Sequence, residues 1–101
     1  MTKADIINQI SEKTGIEKVI VTKTIETFFK TMKNNMVDGN DVFFRGFGSF
    51  ILQHRKAKIG RNISKNTAVK IDEHFIPKFK PAKEFSEAVK KSKAVRNKAK
   101  K

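Results

Sequence analysis

Between Gln53 and Lys70 the chain carries Arg55, Lys56, Lys58, Arg61, Lys65 and Lys70, with no acidic residue among them. Guanidinium and ammonium groups at that density favour one kind of chemistry, charge-assisted hydrogen bonding to phosphate oxygens. Nothing nearby suggests bond-breaking chemistry. His54 and His74 lack ligand-like spacing and the chain has no cysteine, so neither a metal site nor a cofactor is predicted. Asp72 and Glu73 are adjacent in a stretch that reads as strand, which sends them to opposite faces and unsuits them to a convergent acid/base pair. With no nucleophile motif either, an enzyme and a small-molecule substrate are not expected.

The cations need an element to hold them out. Two runs that alternate like strands, Ser49 to Leu52 and Val69 to Phe75, flank the polar centre, and a β-hairpin arm over about 53–70 is the economical reading. Its outgoing strand is expected from Ser49 to about Ile59 and its tip at Gly60, Arg61, Asn62 and Ile63, where Gly and Asn tolerate positive φ. The return strand is expected over about Thr67 to Ile76, with alternation faltering at Glu73 and with Pro77 ending or edging the pairing. A cationic ribbon of this form suits a nucleic-acid groove, with Arg and Lys on phosphate and an apolar tip residue at the base pairs.

Upstream, Asp41 to Arg45 reads as a short strand, and Gly46-Phe47-Gly48 as the tight link to the arm. Its glycines either present backbone N–H groups to a phosphate or simply form a β-turn. Alone, the GFG satisfies neither a dinucleotide-binding nor a P-loop pattern. Two helices precede it. Thr2 with Asp5 forms a capping-box-like start, and Gly15 supplies the stop for a helix over Lys3 to Thr14. Val21, Ile25, Phe28, Phe29, Met32 and Met36 mark a long amphipathic helix to about Val37, weakly opened by Glu17 and ended by Asp38-Gly39-Asn40. That Met/Phe stripe is expected to pack in a core or a dimer seam rather than line a ligand pocket. A short helix over about Ala82 to Val89, with Pro81 near its first turn, closes the fold.

Charge divides the chain sharply. The net charge is +13, of which residues 1–52 hold +1 and residues 53–101 hold +12. The first half is scaffold and the second faces a polyanion, nucleic acid before anionic membrane. The last twelve residues, KKSKAVRNKAKK, hold seven Lys/Arg and no acid. They read as a disordered tail (90–101) after one domain (1–89), either solvated or adding affinity for polyanions. No apolar run approaches the roughly 20 residues of a membrane span and no signal-peptide core is present, so a soluble protein that stays in its compartment of synthesis is expected. Discounting tip and tail leaves roughly 70 residues, too few for a core of more than about 3–5 kcal/mol. Without cysteine, association with a second copy is the remaining device, and the nine Phe residues suit it.

The order of helix, helix, short strand, GFGSF, basic arm with GRN, return strand, Pro77 with Phe79 and closing helix resembles the bacterial HU/IHF DNA-bending family over about Lys3 to Val89. The resemblance implies an α+β fold. It is expected as an intertwined dimer with a two-helix base, a three-stranded antiparallel sheet with a protruding β-hairpin arm, and a short C-terminal helix. Implied with it are double-stranded DNA as partner, minor-groove bending with little sequence preference, a nucleoid-associated cytoplasmic location, and a homodimer or a heterodimer with a paralogue. The family pattern carries DNA contact to Arg55, Lys58, Arg61 and Asn62 on the arm, to Gly46 and Gly48 in the turn, and to Lys80, Lys83 and Lys3 on the body. Lys56, Lys65 and Lys70 join them by their place on the arm. Where the family usually has Pro as a wedge between base pairs, this chain has Ile63, followed by Ser64-Lys65-Asn66-Thr67 in place of the usual Thr-Gly. Two other readings are site-preferring bending in the manner of IHF and basic RNA binding; the chain lacks the aromatic RRM pattern and the GXXG of KH.

Overall fold

The computed structural model describes residues 1–62 and 67–98. The chain forms two compact units, Met1–Asp38 and Gly39–Lys101.

The first unit is a helical pair. Helix α1, Lys3–Thr14, starts at a complete capping box in which the Thr2 N–H donates to Asp5 Oδ2 at 2.9 Å and the Asp5 N–H donates to Thr2 Oγ1 at 3.3 Å. Two orphan donors of the first turn are thereby satisfied. Gly15 ends the helix in the left-handed region, φ 74°, with its N–H on the Ser11 carbonyl at 2.9 Å. Ser11 Oγ then donates to the Ile16 carbonyl at 2.6 Å, fixing the link to α2, Lys18–Val37. As its sequence suggests, Glu17 gives α2 no side-chain cap. The apolar faces of the pair meet at Ile7 and Val21, which are only 6% and 4% exposed. Along the rest of the stripe Ile25, Met32 and Met36 are half-buried, while Phe28 and Phe29 are 42% and 55% exposed, their rings edge to face at 5.5 Å.

The second unit begins with β1, Val42–Phe44, β2, Gly48–Arg55, and β5, His74–Pro81, an antiparallel sheet in the order β1-β2-β5. A separate two-stranded ribbon joins β3, Lys58–Asn62, to β4, Thr67–Ile71. Just before β1 begins, the Asp41 carboxylate accepts the Leu52 N–H at 2.9 Å, in the place of a further backbone rung. Helix α3, Lys83–Lys91, follows β5 directly, and the Ala82 N–H donates to the Phe47 carbonyl at 2.9 Å.

Several expected boundaries differ. The arm strands are each interrupted: Lys56 and Ala57 separate β2 from β3, and Asp72 and Glu73 separate β4 from β5. The His74 ring competes with the ladder there, its Nδ1 lying 3.0 Å from the Asp72 carbonyl, and Glu73 Oε2 reaches across to His54 Nε2 at 2.9 Å. Asp72 and Glu73 therefore stand outside a regular strand. Register resumes unchanged, with Arg55 opposite His74 and Lys58 opposite Ile71. That continuity places Gly60, Arg61 and Asn62 within β3, opposite Val69, Ala68 and Thr67, rather than at the tip. Pro77 does not end the sheet. It pairs with Leu52 inside β5, an edge strand of this sheet, where a missing N–H is tolerated. Pro81 closes β5, two residues before α3 begins. Residues 93–98, expected to be disordered, form a short helix α4, Lys93–Lys98.

Candidate nucleic-acid interface

Residues directly opposite one another on antiparallel strands share a face, and neighbours along a strand alternate. Between β2 and β5 this puts Phe50 with Phe79, Leu52 with Pro77 and His54 with Phe75 on one side. Ser49 with Lys80, Ile51 with Lys78, Gln53 with Ile76 and Arg55 with His74 take the other. The first side is aromatic. Phe50 and Phe79 lie 4.8 Å apart, Phe44 and Phe50 6.1 Å, and Phe47 bridges Phe79 at 5.3 Å to Phe85 of α3 at 5.2 Å. Helix α3 is thus seated on the sheet by ring stacking. The second side carries a line of cations, Lys80, Lys78 and Arg55, all exposed.

That line leads to the arm. Arg55 ends β2, Lys56 stands in the interruption, Lys58 opens β3 opposite Ile71, and Lys70 lies on β4 opposite Ile59. Arg55, Lys56, Lys58 and Lys70 are all exposed. Arg61 and Asn62 pair with Ala68 and Thr67 near the distal end of the ribbon. Ile63 and Lys65 lie outside the described residues. At the arm's base, the His54–Glu73 pair and the His54–Phe75 ring contact at 5.0 Å span the interruption.

The GFG link is a β-turn in which the Phe47 N–H donates to the Phe44 carbonyl at 3.0 Å and Gly46 adopts φ 79°. A type II turn requires that conformation at its third residue. The two glycines serve different ends. Gly46 is exposed, whereas Gly48 is buried, and a Cβ there would come within 2.6 Å of the Lys80 carbonyl and 2.7 Å of the Phe79 ring. Gly46, Gly48, Arg45, Ser49 and Lys80 line an open groove on this unit. Lys83, the first residue of α3, is exposed; Lys3, in the helical unit, is held to Glu26 at 2.8 Å.

Sequence reasoning passed over Lys78 and Arg45. The signal for Lys78 was its i, i+2 spacing from Lys80, hidden by reading Pro77 as ending or edging the pairing. The His54–Glu73 contact was also missed. It is a diagonal pair that becomes visible only once His54 is set opposite Phe75.

Known proteins with this pattern share a ligand class. The model of the family described as "Bacterial DNA-binding protein" matches residues 1–90. Integration host factor subunit beta of Marinobacter nauticus is 38% identical over 90 residues, covering 88% of this chain and 92% of that protein. DNA-binding protein HRL18 of Rhizobium leguminosarum is 33% identical over 89 residues, covering 88% and 98%. Among solved structures, an Anabaena HU–DNA cocrystal superposes with a TM-score of 0.85 at 29% identity, covering 91% of this chain and all of that one. The aromatic-backed sheet, the cationic ribbon and the family match agree: the chain belongs to the bacterial DNA-binding protein family, that of HU and integration host factor, whose members are architectural DNA-binding proteins and not enzymes.

Proposed function

We propose that this chain acts as a dimer that grips duplex DNA with a pair of cationic ribbons and bends it through the minor groove with little sequence preference, as a component of the nucleoid. The observation that carries the reading is the continuity of register from β2–β5 into β3–β4. It makes the charged arm an extension of a sheet that α3 braces through Phe85 on Phe47 and Phe79, which supports an arm carried by the body. Arg55, Lys56, Lys58, Arg61, Lys65 and Lys70 contact phosphates or groove edges along it. Lys80, Lys83, Lys3 and the turn at Gly46 and Gly48 contact the backbone beside the body.

Ile63 is the wedge. Burying its side chain contributes about 1.5–3 kcal/mol, against a few kcal/mol to unstack one base step, so insertion roughly balances and phosphate contacts supply the surplus. Dimerisation is supported by the apolar surface left open on the helical unit, including Phe29, Ile20 and Val19. Affinity should fall steeply with salt, each neutralised phosphate contributing about −0.9 to the log–log slope. A flat salt titration on a random duplex would remove the electrostatic basis. For the wedge, energy transfer across an end-labelled duplex should report a smaller bend with Ile63→Ala at nearly unchanged affinity, and an equal bend would refute it.

A second reading has its own support in the 38% identity to an integration host factor subunit. In it the chain prefers sites that deform easily, alone or paired with a paralogue. Selection of binders from a random duplex pool separates the two: enrichment of a shared sequence favours site preference, and none favours general binding.

A further inference from the structure

We propose that α4 and the last residue of α3 give this chain a second duplex-DNA contact, made by Lys91, Lys93, Arg96 and Lys98 to the phosphate backbone and lying past the residues that the family model matches. The proposal rests on the DNA-binding reading above and adds a site to it. Family similarity ends at residue 90. From there the sequence KSKAVRNKAKK places six Lys/Arg in eleven residues without one acid.

The segment is built onto the body. Ser92 accepts twice, its carbonyl from the Arg96 N–H at 3.0 Å and its Oγ from the Val95 N–H at 3.3 Å, while its own N–H donates to the Val89 carbonyl at 3.2 Å. Arg96 Nε donates to the Lys90 carbonyl at 3.2 Å, so a side chain of α4 closes the C-terminal end of α3, where a cation is favoured by the helix dipole. Held by Nε, the planar guanidinium is already oriented to offer its terminal nitrogens to a phosphate. α3 in turn is fixed by Phe85 on Phe47 and Phe79, so these cations belong to the unit that carries the arm.

Packing does not account for the helix. Every described residue of α4 is exposed, and Val95 is 43% open. An isolated helix of six residues gains little from its own hydrogen bonds, and its like charges repel. A polyanion removes that repulsion and supplies the partner that the sequence itself lacks. Among the described residues, Lys91 has only an exposed pairing with Glu87 at 3.8 Å, which a phosphate readily replaces.

The test compares the full chain with its Lys93→Gln/Arg96→Gln/Lys98→Gln variant in salt titrations on a random DNA duplex, with the matching double-stranded RNA in parallel. Loss of three phosphate contacts from each copy of the dimer should make the log–log salt slope on DNA shallower by up to about 5.4 and shorten the protected footprint. Arg96→Lys alone should keep most of the slope. Circular dichroism and sedimentation should be unchanged, because α4 covers no core. An unchanged slope and footprint with a parent that binds DNA normally would overturn this second contact while leaving the arm reading intact. A change confined to RNA would overturn it equally. A parent without salt-dependent DNA binding would overturn both.

Discussion

In the helical unit, Ile7 and Val21 are covered while Phe29, Ile20 and Val19 stand open. Along the ribbon, Arg55, Lys56, Lys58 and Lys70 stand open instead, beside a sheet that α3 meets through Phe85 on Phe47 and Phe79. One region is incomplete for want of apolar cover and the other for want of negative charge. The two deficits respond to different variables. Burial of apolar area is nearly indifferent to salt, whereas phosphate contacts weaken with every added counterion. Assembly of the protein and its grip on DNA should therefore separate in a salt titration, the dimer surviving where the complex does not.

The largest effect should come from the apolar side. Phe29→Asp removes about 2–3 kcal/mol of burial from each copy, so a symmetric dimer should weaken by about 10³–10⁴-fold, read by sedimentation at micromolar protein. A dimer of unchanged affinity would locate the interface elsewhere. Next, Gly48→Ala forces a Cβ against the Lys80 carbonyl and the Phe79 ring. It should cost about 1–3 kcal/mol and lower Tm by several degrees. Gly46→Ala meets only Glu84 Oε2 at 3.6 Å and should cost only about 1 kcal/mol for its positive φ. Equal losses at both glycines would contradict the division of labour drawn between them.

On the charged side, Arg55→Gln with Lys58→Gln in both copies should make the DNA salt slope shallower by about 3.6, leaving sedimentation untouched. A change in dimer affinity instead would mean that the arm also contributes to assembly. The smallest effect is expected at the base of the arm. The His54–Glu73 pair is exposed, with side chains 42% and 70% accessible, and pairs of this kind contribute about 0–1 kcal/mol. Glu73→Gln should therefore leave Tm nearly unchanged while lowering hydrogen-exchange protection in β3 and β4. Protection equal to the parent's would show that the ladder alone holds the ribbon.

The helical unit was the more legible of the two in sequence. Thr2, Asp5 and Gly15 are local signals, each acting within one turn, and α1 begins and ends where they stand. Strand limits were harder because they depend on partners far along the chain. Pro77 read as ending or edging the pairing, and it lies on an edge strand where the missing donor is harmless, but Lys78 beside it was overlooked. Gly60 looked like a turn residue, yet the register set at Gly48–Pro81 carries it into β3. Gly48 could be picked out from the GFG pattern, but its reason could not. The Phe79 ring that excludes a Cβ lies far along the chain. The basic end was legible as charge and not as α4, because the Ser92 cap and the Arg96 contact with α3 are modest local effects in a strongly polar stretch.

The gap between sheet and ribbon removes two residues from the ladder on each strand, Lys56 and Ala57 on one and Asp72 and Glu73 on the other. An even number conserves parity, so an extended chain re-enters pairing with its inward and outward sides unexchanged. A single residue inserted into one strand of that gap would invert the parity of everything distal on it, exchanging the side of Lys58 for that of Ile59. Length at this joint can thus vary in matched pairs and not singly, which makes it a ruler for the direction in which the charges are aimed.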